Sequence, residues 1–434
     1  MKQGVVVVSA VSPLPVDTGR RVFLSGLVRY LLNRFGPDNV HYGLAAPVGV
    51  PTPDLGCEVH RLPVPGSTAK LWNASVHSLV RRRSSLQEAM LWSPRLASAV
   101  AELMTRYSPA LEIYDTVRMA QHKAPSRPDS RSMVHLDDLY SMRYERMLEG
   151  LSTTEAKFTP LGEFAANVPA LLRRPVASPR VYRPLLRMEA KLMRRREREI
   201  AQEFSCVTLV NAQEVQDLRR QTGLSTIRVI TPLLSAAREL PRAPSDPPEL
   251  VFLGLLSLPH NDDAICNFID SVWPAVLARN PSCQLRVVGR GASPTLRRLA
   301  HAHRSSLRLD GFVEDLDRLL SGAAAVVAPL RFGSGIKQKI LDAVARGVPV
   351  VGTDVAFEGI PARAAPLAHA PTDAAATDGC IYVRKPPDWP EALARVTEAE
   401  LNEAYSTAAR AFFRRTYSPD IVYDQYDSIF RPAK

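Results

Sequence analysis

The stretch APLRFGSGIKQKILDAVARGVPVV, from Ala328 to Val351, joins two apolar segments through a glycine-containing loop and a helix. The first apolar segment predicts a buried strand at Ala324–Ala328, and the second predicts a strand at Val348–Gly352. The intervening helix is predicted from Phe332 to Ala345. A strand, a helix and a second strand in this order form the repeating unit of a parallel sheet covered by helices. The stretch therefore predicts an α/β fold.

The same alternation extends in both directions and predicts two Rossmann-like domains. Residues 241–250, PRAPSDPPEL, separate them, because they are rich in proline and poor in apolar residues, as a linker should be. We predict an N-terminal domain at 1–240, a C-terminal domain at 251–405, and a C-terminal helix at 406–434 that packs back on the first domain. Strand periodicity is lost at about 145–199, which is predicted to be a basic helical insertion.

Composition limits the kinds of partner. The 434 residues are 46% hydrophobic and 23% charged, with a net charge of +11, which favours a phosphate ligand, a nucleic acid or an anionic membrane surface. Five cysteines lie far apart without a CxxC pair, so we expect neither a disulfide framework nor a zinc knuckle, and a cytoplasmic location. No apolar run is long enough to span a bilayer, and Val5–Val8 is interpreted as a first strand.

The loop of the opening stretch has the chemistry of an anion site. Gly333 and Gly335 allow close approach to the backbone, and Arg331, Lys337 and Lys339 surround the start of the helix. Free N–H groups and the partial positive charge of a helix N-terminus bind phosphates. A diphosphate site is therefore predicted, the alternative being a helix capped by Ser334 with solvated lysines.

Asp342 lies eight residues after Ser334, a little over two helical turns. It is too far along the helix to meet phosphates at the helix start. The carboxylate either accepts hydrogen bonds from a ribose or is a surface acid.

At this point the sequence resembles a known family. The run from Ala328 to Ile360 is similar to the donor-binding signature of the retaining group 1 glycosyltransferases with the GT-B fold, in which two Rossmann-like domains face each other across a cleft. It resembles most their branch associated with exopolysaccharide and PEP-CTERM systems. Supporting segments follow in family order, namely FLGLLSLPHNDD, LRVVGRG and DGFVEDLDRLL, with looser likeness in PLPVDTGRR and VHLDDLYSMRYE.

The resemblance implies an enzyme that transfers a sugar from a nucleotide-sugar donor, with retention and without a metal or other cofactor. Asp342 is implied to contact the ribose, and Ser334 stands where the family has a glutamate that addresses the sugar. Backbone groups from Gly333 to Ile336 are expected to replace that glutamate. The family's Arg/Lys pair is missing from LSLPHNDD, so the three cations of the loop must bind the diphosphate. The other residues implied to contact the donor are Gly254, Gly289, Phe312 and Val313, the last two bordering the base.

The first domain supplies further candidates. Gly19 and Arg20 end a loop after the first strand and are predicted to close over the diphosphate, the alternative being a plain surface turn. His135, Asp137 and Asp138 follow a predicted strand and either contact the sugar or acceptor or cap a loop. Asp138 is preferred to Asp137 as a catalytic residue.

Other acidic residues are predicted to have lesser roles. Glu214 is interpreted as structural. Asp315 and Asp317 form a DxD sequence of the kind that binds metals in another glycosyltransferase fold, but three residues are weak support for a metal site.

Residues 173–198 carry ten Lys/Arg against two glutamates, with an apolar stripe at Leu185, Leu186, Met188 and Leu192. Such a helix is typical of peripheral binding to an anionic membrane at its inner face, or else it packs on its own domain. Nucleic-acid binding is not expected, because the basic region lacks interleaved aromatics. Two rival functions remain open, a GT-B-fold sugar-nucleotide epimerase and a non-catalytic sugar-nucleotide-binding protein.

Overall fold

The computed structural model describes residues 4–16, 18–153, 179–234, 240–333, 335–363, 365–366 and 377–430. The chain divides into two compact units. Unit 1 contains residues 1–145, 185–235 and 419–434, and unit 2 contains residues 146–184 and 236–418.

The described part of unit 1 is built on a parallel sheet of seven strands in the order β3-β2-β1-β4-β5-β6-β7. Its central strand, VVVVS, is buried along its whole length, as expected for a parallel strand covered by helices on both faces. The strands are β1 (Val5–Ser9), β2 (Val40–Ala45), β3 (Glu58–Leu62), β4 (Leu111–Asp115), β5 (Arg131–Asp137), β6 (Cys206–Leu209) and β7 (Ile227–Val229).

Helices alternate with these strands, which satisfies the long crossover that each parallel pairing requires. They are α1 (Gly19–Phe35), α2 (Ser67–Asn73), α3 (Leu86–Ala89), α4 (Pro94–Tyr107), α5 (Thr116–Ala120), α6 (Tyr140–Thr153), α7 (Pro179–Glu203) and α8 (Ala212–Thr222), with a π-helical segment at Ala74–Val80.

In unit 2 the described residues form a second seven-stranded parallel sheet, in the order β10-β9-β8-β11-β12-β14-β13. The strands are β8 (Glu249–Leu253), β9 (Gln284–Val288), β10 (Leu307–Leu309), β11 (Ala325–Ala328), β12 (Val350–Gly352), β13 (Ala365–Pro366) and β14 (Cys380–Tyr382). The helices of unit 2 are α9 (Pro259–Ser271), α10 (Trp273–Arg279), α11 (Pro294–Ala302), α12 (Leu316–Ser321), α13 (Gln338–Ala345), α14 (Asp354–Phe357), α15 (Trp389–Thr397) and α16 (Ala399–Tyr417). The next helix in the chain, α17 (Pro419–Phe430), belongs to unit 1.

The domain boundaries differ from those predicted. Residues 241–250 are not a free linker, because Arg242 donates to the carbonyl of Ala323 at 2.6 Å and to Asn402 Oδ1 at 2.9 Å, both within unit 2. The chain returns to unit 1 at Pro419 instead of at residue 406, since α16 belongs to unit 2. Proline content indicated a linker, whereas the buried guanidinium of Arg242 ties that segment to the second core.

The C-terminal helix α17 packs within unit 1. Tyr30 Oη of α1 donates to Asp427 Oδ1 at 2.7 Å, and the rings of Tyr30 and Tyr426 meet edge to face with centroids 4.9 Å apart. Gln425 Oε1 accepts from the backbone N–H of Thr231 at 2.8 Å. The last helix is therefore part of the first core.

The basic helix α7 overlaps the predicted membrane-binding segment, of which residues 154–178 lie outside the described residues. Leu186 and Leu192 of the predicted apolar stripe are buried, and Glu189 accepts from the backbone N–H of Leu86 at 2.8 Å. The stripe therefore packs against the protein and is not available to enter a bilayer. No helix among the described residues is both apolar and long enough to cross a membrane.

Candidate functional site

In each sheet the strand order reverses next to the strand that comes first in the chain. These switch points lie between β1 and β4 in unit 1 and between β8 and β11 in unit 2. Ligands of doubly wound folds bind beyond the carboxyl ends of the strands at such switch points. Charged side chains gather at both places, and each place is described separately below.

In unit 2 two lysines converge at the carboxyl end of β8. Lys339 Nζ donates to Asn261 Oδ1 at 2.7 Å and lies 4.2 Å from the centre of the Phe252 ring. Lys337 is only 6% exposed, and its Nζ donates to the carbonyl of Gly335 at 2.6 Å. The two ammonium groups thus lie on one small surface formed by the glycine loop and the start of α9.

The charge of Lys339 is poorly compensated. Burial, together with repulsion from Lys337, lowers the pKa of Lys339 from 10.5 to about 7. Within the described part of the chain Lys339 forms no ion pair with a carboxylate; its contacts are Asn261 and the ring of Phe252. A buried cation of this kind favours an anionic ligand, which would restore its charge.

The helix of the opening stretch begins later than predicted. Lys337 is its N-cap and α13 starts at Gln338, because Gly333 (φ 141°) and Gly335 (φ 69°) hold the preceding residues in conformations that a helix does not allow. Lys337 therefore lies in the loop and Lys339 in the first turn. Ser334 lies outside the described residues.

Arg331 lies at the rim of this surface. Its side chain is 34% exposed, and Nε lies 3.6 Å from Asp263 Oδ2 on α9. Burial raises the pKa of Asp263, although Arg331 acts in the opposite direction. Ile336, which lies in the same loop as Arg331, is partly buried.

Gly254 and Gly289 are required by the packing of their own loops. A Cβ on Gly289 would lie 1.7 Å from the carbonyl oxygen of Gly254, and the φ of Gly289 is 153°. A Cβ on Gly254 would lie 2.8 Å from Asn261 Nδ2. These glycines thus let the loops after β8 and β9 meet, and they place Asn261 against Lys339.

The loop after β10 presents an exposed aromatic ring. Phe312 is 57% exposed, and the guanidinium carbon of Arg290 lies 4.1 Å from the ring centre. Val313 next to it is partly buried. A planar cation and an exposed ring in this arrangement can stack with a nucleotide base, which is the role predicted for Phe312.

Asp342 lies in a network of side chains on α13. Its Oδ1 accepts from Gln338 Nε2 at 3.2 Å and lies 3.6 Å from Arg346 Nη1, while Arg346 Nε donates to Asp317 Oδ1 at 2.7 Å. Burial raises the pKa of Asp342. Asp315 caps α12 by accepting from the N–H of Arg318 at 2.8 Å. Both acids of the DxD sequence are thus engaged in structural contacts.

In unit 1 Arg20 is held at the β1/β4 switch point. Its Nη2 donates to Asp115 Oδ2 at 2.6 Å and to Thr116 Oγ1 at 3.3 Å. Burial opposes the charge of Arg20, but Asp115 and other acidic neighbours outweigh it and raise its pKa. Gly19 is the first residue of α1 and is exposed. Arg20 is therefore a fixed part of unit 1, not a residue of a plain surface turn.

The end of β5 carries three titratable residues in contrasting states. His135 is 2% exposed, and burial lowers its pKa to about 3, so it is neutral. Asp137 is partly buried with a φ of 69°, and burial and Asp138 raise its pKa to about 7. Asp138 is 2% exposed and bound by Arg143, whose Nη2 lies 2.7 Å from Oδ2 and whose Nε lies 2.9 Å from it.

This geometry favours Asp137 over Asp138 as the reactive carboxylate, which reverses the order predicted from the sequence. The carboxylate of Asp138 is bound by Arg143. Asp137 has a carboxylate that solvent reaches in part and a pKa close to neutrality. Its left-handed backbone conformation costs energy in a residue that has a side chain. Glu214 is fully buried and accepts from the backbone N–H of Leu139 at 2.8 Å, which fits the structural role predicted for it.

Sequence reasoning missed several residues of these two clusters. Asp115 ends β4, Thr116 follows it and Arg290 lies two residues after β9, and a position at a strand end was the available signal. Asn261 lies in α9, eight residues after β8, and carried no such signal. Thr116 has a φ of 62°, an unusual conformation for a β-branched residue, and only coordinates reveal it.

Comparison with known families gives a match within the second unit. Residues 247–398 match the model of the family described as "Glycosyl transferases group 1". A protein of Klebsiella pneumoniae described as "Uncharacterized 44.6 kDa protein in cps region" is 28% identical over 116 residues. The aligned stretch covers 25% of this chain and 30% of that relative.

Solved structures extend the likeness to the whole chain. Sucrose-phosphate synthase from Thermosynechococcus elongatus aligns over 98% of both chains with a TM-score of 0.65 and 14% identity. WaaG, a glycosyltransferase involved in lipopolysaccharide biosynthesis, aligns over 99% of this chain and all of its own with a TM-score of 0.57 and 14% identity. Anabaena Alr3699/HepE in complex with UDP gives a TM-score of 0.57 at 14% identity, with 98% of each chain covered. The predicted GT-B fold, with two parallel-sheet Rossmann-like domains, is confirmed.

Proposed function

We propose that the protein transfers a sugar from a nucleotide-sugar donor to an acceptor hydroxyl, because residues 247–398 match the group 1 glycosyltransferase family and the chain has the GT-B fold. The relatives support this class of reaction, since WaaG is a glycosyltransferase and HepE has been solved with UDP. The matched residues, 247–398, include the two converging lysines.

One observation carries the proposal, namely the partly buried Lys339 beside the buried Lys337 at the carboxyl end of β8. A lysine whose pKa falls to about 7 for lack of a compensating anion is suited to bind the diphosphate of a nucleotide sugar. Arg331 at the rim supplies a third cation. The three cations thus favour a ligand that carries a diphosphate group.

The proposed chemistry follows from these charges. When the anomeric C–O bond breaks, negative charge grows on the leaving diphosphate, and preorganised cations stabilise it. Lys339 binds a proton as the anion binds and then holds its full charge beside the leaving group. Three protein cations can do the work of a bound metal here, so we propose transfer without a metal at this site. Retention is proposed from the family resemblance.

A ligand screen tests the donor site. The purified chain is heated with UDP-, GDP- and dTDP-sugars, and the matching donor is expected to raise Tm, because it binds the folded state. Lys339→Ala should abolish the shift, whereas Lys385→Ala, which removes an exposed lysine of unit 2, should keep it. A donor-induced shift that is equal in both variants would contradict the site.

Product analysis distinguishes transfer from the rival functions. Incubation with donor but no acceptor should yield only slow hydrolysis, whereas an epimerase would produce a new nucleotide sugar. A non-catalytic binding protein would show a Tm shift but no turnover with any acceptor. Sugar transfer above background supports the proposed reaction.

We propose a surface-bound acceptor of a polysaccharide or glycolipid pathway, which the cps-region relative supports. Arg187, Lys191 and Arg198 are exposed at helical spacing on α7 and form a basic stripe on the side away from its packed residues. Such a stripe attracts an anionic membrane surface without inserting into it.

Vesicle cosedimentation tests the basic stripe. Binding to vesicles with acidic lipid is expected at low salt and should weaken as salt rises. The triple variant R187E/K191E/R198E should lose this binding. R297E/R298E/R304E is the matched control, because it changes charge equally at exposed positions of unit 2. Equal binding by both triple variants would exclude the stripe.

A further inference from the structure

A second cluster of ligand-type side chains lies in unit 1 at the amino ends of β2 and β3. His41 pairs with Glu58 in the strand register, and His60 lies two residues further along the edge strand. One ligand atom from each of the three side chains lies within 4.8 Å of the others. The Asp115 and Asp137 clusters lie at the carboxyl ends of β4 and β5. The proposed transfer therefore does not use these three residues.

The distances within the cluster do not fit hydrogen bonds. His41 Nδ1 lies 3.4 Å and His60 Nε2 lies 3.6 Å from Glu58 Oε2. Both nitrogens are buried and have no hydrogen-bond partner among the described residues. Hydrogen bonds of this type are about 2.7–3.2 Å long. Two atoms that each lie about 2.1 Å from one tetrahedral ion are about 3.4 Å apart, which matches these separations.

The surroundings are those of a metal-ligand set. Tyr107, at the end of α4, donates its hydroxyl to Glu58 Oε2 at 2.9 Å, and its ring stacks on His41 with centroids 3.6 Å apart. Such outer contacts fix the orientation of ligating side chains.

A path to solvent is present. His41 and Glu58 line a surface cavity of about 390 Å³, together with Asp38, Asp54 and Cys57. The Glu58 side chain is 54% exposed, so an ion can reach Glu58 and His41 from this cavity. Three protein ligands leave a fourth position open towards it, for water or another donor.

We propose that His41, Glu58 and His60 bind one Zn²⁺ ion, which links the edge strand β3 to β2. Two imidazole nitrogens and one carboxylate oxygen suit zinc, whereas Mg²⁺ prefers oxygen ligands. The ion coordinates the two buried nitrogens. It also cross-links the edge strand β3 to β2, its neighbour in the sheet. It has a structural role in unit 1 and is separate from the donor site.

Zinc binding by the full-length chain after chelator treatment and dialysis tests the proposal. Titration with Zn²⁺, followed by calorimetry and by metal analysis of the dialysed complex, should give one equivalent per chain and a rise in Tm. Mg²⁺ should give neither. Co²⁺ should give the visible absorption of a tetrahedral site.

Two variants and one control complete the design. Glu58→Gln changes a half-exposed ligand, and His60→Ala removes a second one; each should weaken Zn²⁺ binding by about 100-fold or more. Glu58→Gln keeps the proposal testable if His60→Ala does not fold. His301→Ala removes an exposed histidine of α11 and should bind zinc like the parent. No bound equivalent in the parent, or unchanged affinity in Glu58→Gln, would overturn the proposal.

Discussion

At the scale of single residues, Lys339 makes donor affinity depend on pH. In the free folded protein its pKa is about 7, because burial and Lys337 disfavour the ammonium form. A bound diphosphate favours that form, so binding above pH 7 takes up a proton. Donor affinity is therefore expected to fall by up to about tenfold per pH unit above 7. Calorimetry from pH 6.5 to 9, in two buffers of different ionisation enthalpy, measures the donor affinity and the number of protons taken up on binding.

Lys339→Met isolates this effect. The variant should bind the donor more weakly at pH 6.5 and show no proton uptake, whereas Lys385→Ala should behave like the parent protein. The lowered pKa of Lys339 also makes the stability of the ligand-free protein depend on pH. Between pH 7 and 10.5 the unfolded chain binds a proton that the folded chain does not, so this residue makes the free energy of unfolding increase with pH. An unchanged pH dependence in Lys339→Met would remove Lys339 from the donor site.

Asp137 is expected to control the rate of transfer. Its pKa of about 7, raised by burial and by Asp138, predicts that activity increases with pH through neutrality as the carboxylate forms. Asp137→Asn should lower kcat by about 100-fold or more and flatten this profile, with little effect on donor affinity. Steady-state kinetics from pH 5.5 to 8.5 tests both expectations.

Asp138→Asn provides the contrast. It removes the charge that Arg143 binds, so it should lower the free energy of unfolding more than Asp137→Asn does. If Asp138→Asn abolished the pH-dependent activity and Asp137→Asn did not, Asp138 would be the catalytic residue, as predicted from the sequence.

At the scale of elements, the meeting of the loops after β8 and β9 depends on Gly289. A Cβ there would lie 1.7 Å from the carbonyl oxygen of Gly254, at a φ of 153°. Gly289→Ala should therefore cost unit 2 about 3 kcal/mol or more and weaken donor binding, because the loop that holds Asn261 must move. Gly311→Ala, whose Cβ would meet nothing within 4 Å, should cost far less. Urea unfolding of both variants measures the difference, and equal costs would contradict the packing described.

Strand pattern predicted the sheet elements better than the helix boundaries. The apolar runs of β1, β8 and β11 are buried on both faces and were predicted to within a residue or so. The edge strand β3 was missed, because its sequence EVHRL is polar and gains strand structure only from pairing with β2.

Helix boundaries and site geometry depended on tertiary contacts. Residues 259–279 form two helices, α9 and α10, since Pro274 in the first turn of α10 cannot continue the preceding hydrogen bonding. The sequence predicts a donor-binding role for Arg331, Lys337 and Lys339, and this role stays a prediction. The contact of Asn261 with Lys339 could not be predicted, because it depends on two glycines in separate loops.

At the scale of the whole molecule, the described residues form two seven-stranded parallel sheets with separate cores, and the chain completes the first core only at its end. Tyr426 of α17 is fully buried and packs on Tyr30 of α1. Tyr426→Ala should cost about 3–5 kcal/mol, the usual effect of truncating a buried aromatic residue. Because the contact lies within unit 1, the loss should fall on that unit.

Hydrogen exchange can assign this loss to a unit. In Tyr426→Ala, protection is expected to fall in α1, β1 and α17, while the strands of unit 2 and the donor-induced rise in Tm remain. Ile421→Ala, at a 48% exposed position of the same helix, should leave both units unchanged. If protection fell equally in β8 and β11, the two cores would unfold as one. The last helix would then stabilise the donor-binding unit as well as the unit in which it is buried.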